Sequence, residues 1–247
     1  MTEPIQLMTI TLVVLLSGIS KSGFAGALGA FSVPLLMTVL EPKDAIALML
    51  PLLIVADVFS LKSYWRQWNT TELKRLLPGT LIGIAFATVF LQGVNEYWLT
   101  LAIAIMSILF ALKSLAFNKL VGNTSHLSLL AAGTSTAAGV STTLIHAGGP
   151  PLMIYFNARK LAPMAYIATV AVLFALMNVI KLITFSATGL LQWEHILLAI
   201  CFTPVALIGN RVGVYLAQRL PKARFLFVMN SLLLLLGLML LSSLHSG

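Results

Sequence analysis

Lys21, Asp57 and Lys181 are charged residues set inside long apolar stretches of a chain that is 59% hydrophobic and only 9% charged. A charge at the centre of a membrane costs about 2.5 kcal/mol or more, and it persists where it pairs or faces water. Lys21 lies among Ser17, Ser20 and Ser22. It reads either as a charge that attracts an anion, helped by free N–H groups of a broken helix, or as a structural lysine reaching for the interface. Lys181 follows Asn178 by one helical step, so the two share a helix face that is expected to point inward, since lipid would be costly for both. Lys181 then either neutralises a substrate anion or partners Asp57. Asp57 and Asn178 are candidates for carrying a coupling proton or cation, and a structural pairing of Asp57 with Lys62 or Lys21 is the alternative.

A second set of polar residues interrupts two apolar runs in matching places. Residues 23–34 and 139–151 are each rich in Gly and small polar residues and close on Pro. The first holds Ser32; the second holds Ser141, Thr142, Thr143, His146, Gly148 and Gly149, followed by Pro150 and Pro151. Hydroxyls beside a break can donate to a dehydrated anion, although Ser and Thr more often bond back to their own helix. His146 can donate to an oxyanion or relay a proton near neutral pH, or it is a satisfied structural histidine. The two glycines let backbone approach a ligand, and the prolines stop the helix. Matched broken segments in two halves of a membrane chain are the sequence sign of a transport site at the repeat interface.

Composition narrows the class further. Soluble domains carry about 25% charged residues, so the fold is expected to be an all-α polytopic membrane protein. The net charge of +8 fits basic cytoplasmic loops, and without aromatic–basic interleaving no nucleic-acid partner is expected. One cysteine, Cys201, excludes an intrachain disulfide and is expected in the core. No second His stands at ligand spacing from His146, so no metal and no cofactor are expected. Residues 1–7 lack a basic stretch, and a cleaved signal peptide is not expected.

A helix needs about 20 apolar residues to cross a bilayer. Segments near 44–62, 76–94, 97–116, 163–185, 196–216 and 223–244 fit one crossing each, whereas 5–39 and 127–157 are too long for one crossing and are broken. The halves, 1–120 and 121–247, align: Pro34 falls opposite Pro151, Asp57 opposite Asn178, and Pro78 with Ile82-Gly83 opposite Pro204 with Ile208-Gly209. Lys and Arg gather in 62–75, in 113–126, at Arg159-Lys160 and in 211–224, while Glu41, Asp44, Glu96 and Glu194 mark the other ends. The positive-inside rule makes the basic loops cytoplasmic and both termini external. Loop 62–75 is then inside and its counterpart near Glu194 outside, so the repeats are inverted. Each would consist of a broken helical hairpin (5–39 or 127–157) and three crossings.

The paired Gly-rich motif ending in Pro, the run Gly148-Gly149-Pro150-Pro151 followed by Tyr155, and the basic pair Arg159-Lys160 resemble the TauE/SafE sulfite exporter family of membrane permeases. The likeness covers essentially the whole chain. The first copy departs from the family pattern in carrying Gly29-Ala30-Phe31-Ser32 where a Gly run is common. The resemblance implies transport of sulfite or small organosulfur anions across a bacterial cytoplasmic membrane.

The expected function is therefore secondary transport of a small anion by alternating access where the two hairpins meet. Lys21, Ser22, Ser32, Ser141, Thr142, Thr143, His146, Gly148, Gly149 and Lys181 are the expected binding residues. The expected partners are the anion, the lipid bilayer, a coupling proton or sodium ion and, as an alternative to a monomer, further copies of the chain. A channel-like anion uniporter is the alternative within transport. An intramembrane enzyme would need a nucleophile with its base or a metal cluster, and no such catalytic set is present in the sequence.

Overall fold

The computed structural model describes residues 4–23, 29–116, 126–159, 161–219 and 222–246. The described residues are helical, with no strand among them. The first half contains α1 (Pro4–Gly23), a short 3-10 turn at Gly29–Phe31, α2 (Ser32–Leu36), α3 (Pro42–Ser63), α4 (Thr70–Gly93) and α5 (Glu96–Ala116). The second contains α6 (Leu127–Ile145), α7 (Gly149–Arg159), α8 (Pro163–Ala187), α9 (Trp193–Arg219) and α10 (Lys222–Ser246). Helices α3, α4, α5, α8, α9 and α10 are each long and apolar enough to cross a membrane, and they match the expected crossings.

Their ends follow local chemistry. Pro42 and Pro163 sit at the first turns of α3 and α8, where a missing N–H costs nothing. Helix α4 begins at Thr70 rather than near 76, because Asn69 caps it by accepting from the N–H groups of Thr71 and Glu72. Hydropathy cannot register this polar first turn.

The broken segments behave differently from the crossings. At about 1.5 Å per residue, the 19 residues of α6 extend about 28 Å, close to the ~30 Å hydrocarbon core. The 11 residues of α7 extend only about 16 Å. The return arm of the second hairpin is too short to cross alone, and α2, with five residues, is shorter still.

Helix packing mixes the halves. Helix α1 lies along α9 and α4 along α6, while α3 packs on α8 and α5 on α10. Exchanging the halves maps this pattern onto itself. The two crossings of a first arm with a partner helix are both built on glycine. A Cβ on Gly18 would come within 2.6 Å of the Ala206 carbonyl oxygen, and one on Gly209 within 2.4 Å of that of Leu15. In the other crossing, Gly83 and Gly139 leave equally little room against Thr136 and Thr80. Small residues let helix backbones close to this distance. Cys201 departs from expectation: it lies on an exposed face of α9.

Contacts also define two ends. The starts of α4 and α8 and the end of α7 meet at one, through Asn69–Thr169 and Glu72–Arg159. The starts of α1, α3 and α9 meet at the other, through Gln6–Val39 and His195–Asp44.

Candidate functional site

Helix α6 stops at His146, which adopts a left-handed conformation with φ 54° and ψ 27°. That region is disfavoured for a residue with a Cβ, and here the neighbouring backbone holds it. The N–H groups of His146 and Ala147 donate to the carbonyls of Thr142 and Ser141, an αL helix ending. The break turns the chain into α7 and aims the His146 ring at two partners from other helices.

One partner is Lys181 on α8. Its side chain is fully buried and its ammonium donates to the Thr142 carbonyl oxygen at 2.9 Å, to Thr142 Oγ1 at 3.1 Å and to His146 Nδ1 at 2.9 Å. An ammonium has three donors and no acceptor, so three acceptors meet its needs in an apolar surround. The other partner is the carbonyl of Ile46 on α3, 2.9 Å from His146 Nε2. Asn178, one turn from Lys181, donates from Nδ2 to Asp57 Oδ2 at 2.6 Å. The residues that align between the halves therefore touch each other.

The first hairpin meets the second here. A Cβ on Gly29 would stand 2.5 Å from the His146 carbonyl oxygen, so the turn of one hairpin rests on the break of the other. Between them lies a cavity of about 30 Å³ lined by Ser17, Ser20, Gly29, Leu53, Thr142, His146, Phe174 and Asn178. It has room for water and is too small for an oxoanion without some opening. Ser17 and Ser32 share a hydrogen bond of 2.9 Å on the first-hairpin side. Ser20 is 2% exposed, and its Oγ has no hydrogen-bond partner among the described residues. A buried hydroxyl without a partner loses its water without compensation, and this one borders the cavity.

The expected site residues divide accordingly. Thr142, His146 and Lys181 converge, with Asn178 and Asp57 behind them. Ser32 joins through Ser17. Ser141 and Thr143 instead bond back to the carbonyls of Ala138 and Gly139, the behaviour usual for hydroxyls in helices. Gly148 is confined by protein, since its Cβ would lie 3.0 Å from the Phe174 ring, while Gly149 has its nearest neighbour at 3.9 Å. The side chains of Lys21 and Ser22 lie outside the described residues. Ser17, Ser20, Gly29 and Phe174 line the cavity without having been singled out as binding residues.

A second polar cluster closes the basic end of the molecule. Glu72, fully buried on α4, accepts from Tyr155 Oη and from Arg159 Nε at 2.7 Å and Nη2. Arg75 reaches Tyr155 Oη at 3.3 Å. Lys113 of α5 donates to the Pro150 carbonyl at 2.8 Å, so this lysine serves the second hairpin rather than a loop. Glu72 falls within the stretch 62–75 that hydropathy reads as a loop. The spacing Asn69-x-x-Glu72, a helix-start signature with an acid at the third helical position, was the signal that places it inside α4.

The likeness seen in the sequence has an independent counterpart. No curated protein and no solved structure matches this chain. The family model described as "Sulfite exporter TauE/SafE" matches residues 10–240, nearly the whole chain, and the matched region takes in both Gly-rich breaks, five crossings whole and most of the sixth. The protein is therefore a member of the sulfite exporter TauE/SafE family of membrane transporters.

Proposed function

We propose that this protein carries small anions, sulfite or organosulfur compounds, by alternating access between two inverted repeats in a bacterial cytoplasmic membrane. Both termini face outward. The observation that carries the reading is the meeting of the two broken hairpins: Gly29 rests against His146, and the fully buried Lys181 ammonium is held at that junction. A buried cation between helix breaks is poor material for stability alone, because its desolvation is costly. It suits an anion that arrives without its water. Packing that maps onto itself when the halves are exchanged supports the inverted arrangement.

The small size of the cavity favours a carrier over a channel. A space of about 30 Å³ bordered by Ser17, Gly29 and His146 fits a closed intermediate that must open to one side. Asp57, tied to Asn178, holds α3 against α8 beside the cavity.

Reconstituted vesicles offered sulfite, sulfate, sulfoacetate or thiosulfate test this. Saturable flux of one or more of these, absent from protein-free vesicles, is expected. No flux of any of them overturns the reading.

A further inference from the structure

With Lys181 as an ammonium, its contact and that of the Ile46 carbonyl assign the tautomer of His146. Lys181 Nζ can only donate, so Nδ1 of His146, at 2.9 Å, is the accepting nitrogen. Nε2, 2.9 Å from the Ile46 carbonyl oxygen, is then the N–H donor. The ring is a neutral imidazole, and the positive charge of the pair resides on Lys181. Nδ1 is the one place on the ring where another proton can be added. Adding it removes the acceptor that Lys181 uses and sets imidazolium beside ammonium, which is tolerable only if a negative charge enters between them.

We propose that the protein carries one proton with each anion, and that His146 Nδ1 is where the proton rides. This rests on the anion-transport reading above. When an anion enters the cavity that His146, Thr142 and Ser20 border, Lys181 Nζ leaves Nδ1, keeps its Thr142 acceptors and turns a donor to the anion. Nδ1 takes a proton from water on the open side and presents a second N–H to the same anion. On the other side the anion departs, the two cations repel, Nδ1 returns its proton to water and Lys181 comes back to it. Pair and cargo bear one positive charge both when empty and when loaded with a monoanion. Transport of a monoanion therefore moves no net charge.

Among the described side chains, the charged groups on the other helices around α6 are engaged elsewhere: Glu72 of α4 with Tyr155 and Arg159 of α7, and Lys113 of α5 with the Pro150 carbonyl. On α3, Asp57 stands behind Asn178, which borders the cavity in its place. Helices α2 and α6 carry no charged residue. On α1 the charged residue is Lys21, whose side chain lies outside the described residues.

The test uses thiosulfate and methanesulfonate, anions that stay fully ionised across the neutral range, so that any proton taken up belongs to the protein. Calorimetric titration of the purified protein in two buffers of different ionisation heat counts protons per anion bound. Uptake of about one is expected, and uptake near zero overturns the proposal. In vesicles, the ratio of protons to anions moved is expected near one for wild type and near zero for whatever flux His146→Gln retains. A ratio near one in that variant overturns the assignment to His146. Methanesulfonate flux driven by a pH gradient and indifferent to membrane potential supports it; flux driven by potential alone sinks it. Anion binding and flux without protons would leave the transport reading standing and remove only this one. Absence of binding and flux for every anion would remove both.

Discussion

Gly29 and Gly149 show how differently two glycines of matched motifs are used. A Cβ at Gly29 would stand 2.5 Å from a backbone oxygen of the other hairpin, and backbone cannot swing aside as a side-chain tip can. Gly29→Ala should force the tips apart, with a cost in the ~1–3 kcal/mol range of overpacking and a large loss of flux. Gly149→Ala, with its nearest neighbour at 3.9 Å, should stay within about 0.5 kcal/mol of wild type. Thermal unfolding in detergent and flux in vesicles check both, and equal behaviour of the two variants would dissociate the tips from function. Lys181→Gln removes the buried charge and should weaken anion binding by at least about tenfold, as loss of one charge-assisted hydrogen bond, ~1.5–3 kcal/mol, implies. Unchanged affinity in a binding titration would make Lys181 structural. The spacing of Asn178 and Lys181 announced an inward polar face. The choice among Ser141, Thr142 and Thr143 was not legible, because it depends on how α6 is rotated against α8. Ser20 was hidden for the same reason: only the packed structure reveals which hydroxyl lacks a partner.

At the level of elements, the crossings were legible because each is an uninterrupted apolar run, and the breaks were legible because Gly and Pro interrupt two others. The polar start of α4 was not, and with it went the cluster that anchors α7. That arm, about 16 Å long, cannot span the membrane and depends on what holds its ends. Arg159 and Tyr155 tie it to the buried carboxylate of Glu72 at one end, and Lys113 holds the Pro150 carbonyl at the other. Arg159→Met leaves the buried carboxylate with only the more distant Arg75, at 3.8 Å, as its cation. Because Arg159 is 31% exposed, the loss should fall at or below the lower end of the ~3–5 kcal/mol seen when a buried pair is broken. Tyr155→Phe removes the hydrogen bonds with Glu72 and Arg75 but no charge, and should cost less. Hydrogen exchange should quicken across residues 149–159 in both variants, more in Arg159→Met, while the α1–α9 crossing keeps its protection. Uniform loss of protection across the chain would mean that α7 is not a separately held arm.

For the whole molecule, the two ends defined by side-chain contacts differ in charge. The end where α4 and α8 begin carries Lys62, Arg66, Lys74, Arg75 and Arg159, while the end where α3 and α9 begin carries Glu41, Lys43, Asp44 and Glu194. Helix direction then carries the end of α9 with Arg211 and Arg219 to the basic side and the end of α10 to the other. Contacts and charge were independent of each other, and they agree. Membrane insertion retains basic ends in the cytoplasm, so the connection after α3 should be inside and its counterpart after α8 outside. With Cys201 replaced by Ala, single cysteines at the exposed positions Gln67, Asn95 and Gln192 report this through a maleimide that cannot cross membranes. Asn95→Cys and Gln192→Cys should label in intact cells, and Gln67→Cys only after permeabilisation. The reverse pattern would turn the protein over while keeping its symmetry. Labelling of Gln67→Cys and Gln192→Cys from the same side would be more serious. The halves would then be parallel, the match of α1–α9 with α4–α6 would no longer relate opposite faces of the membrane, and exchange of two mirrored conformations could not expose the His146–Lys181 junction to each side in turn.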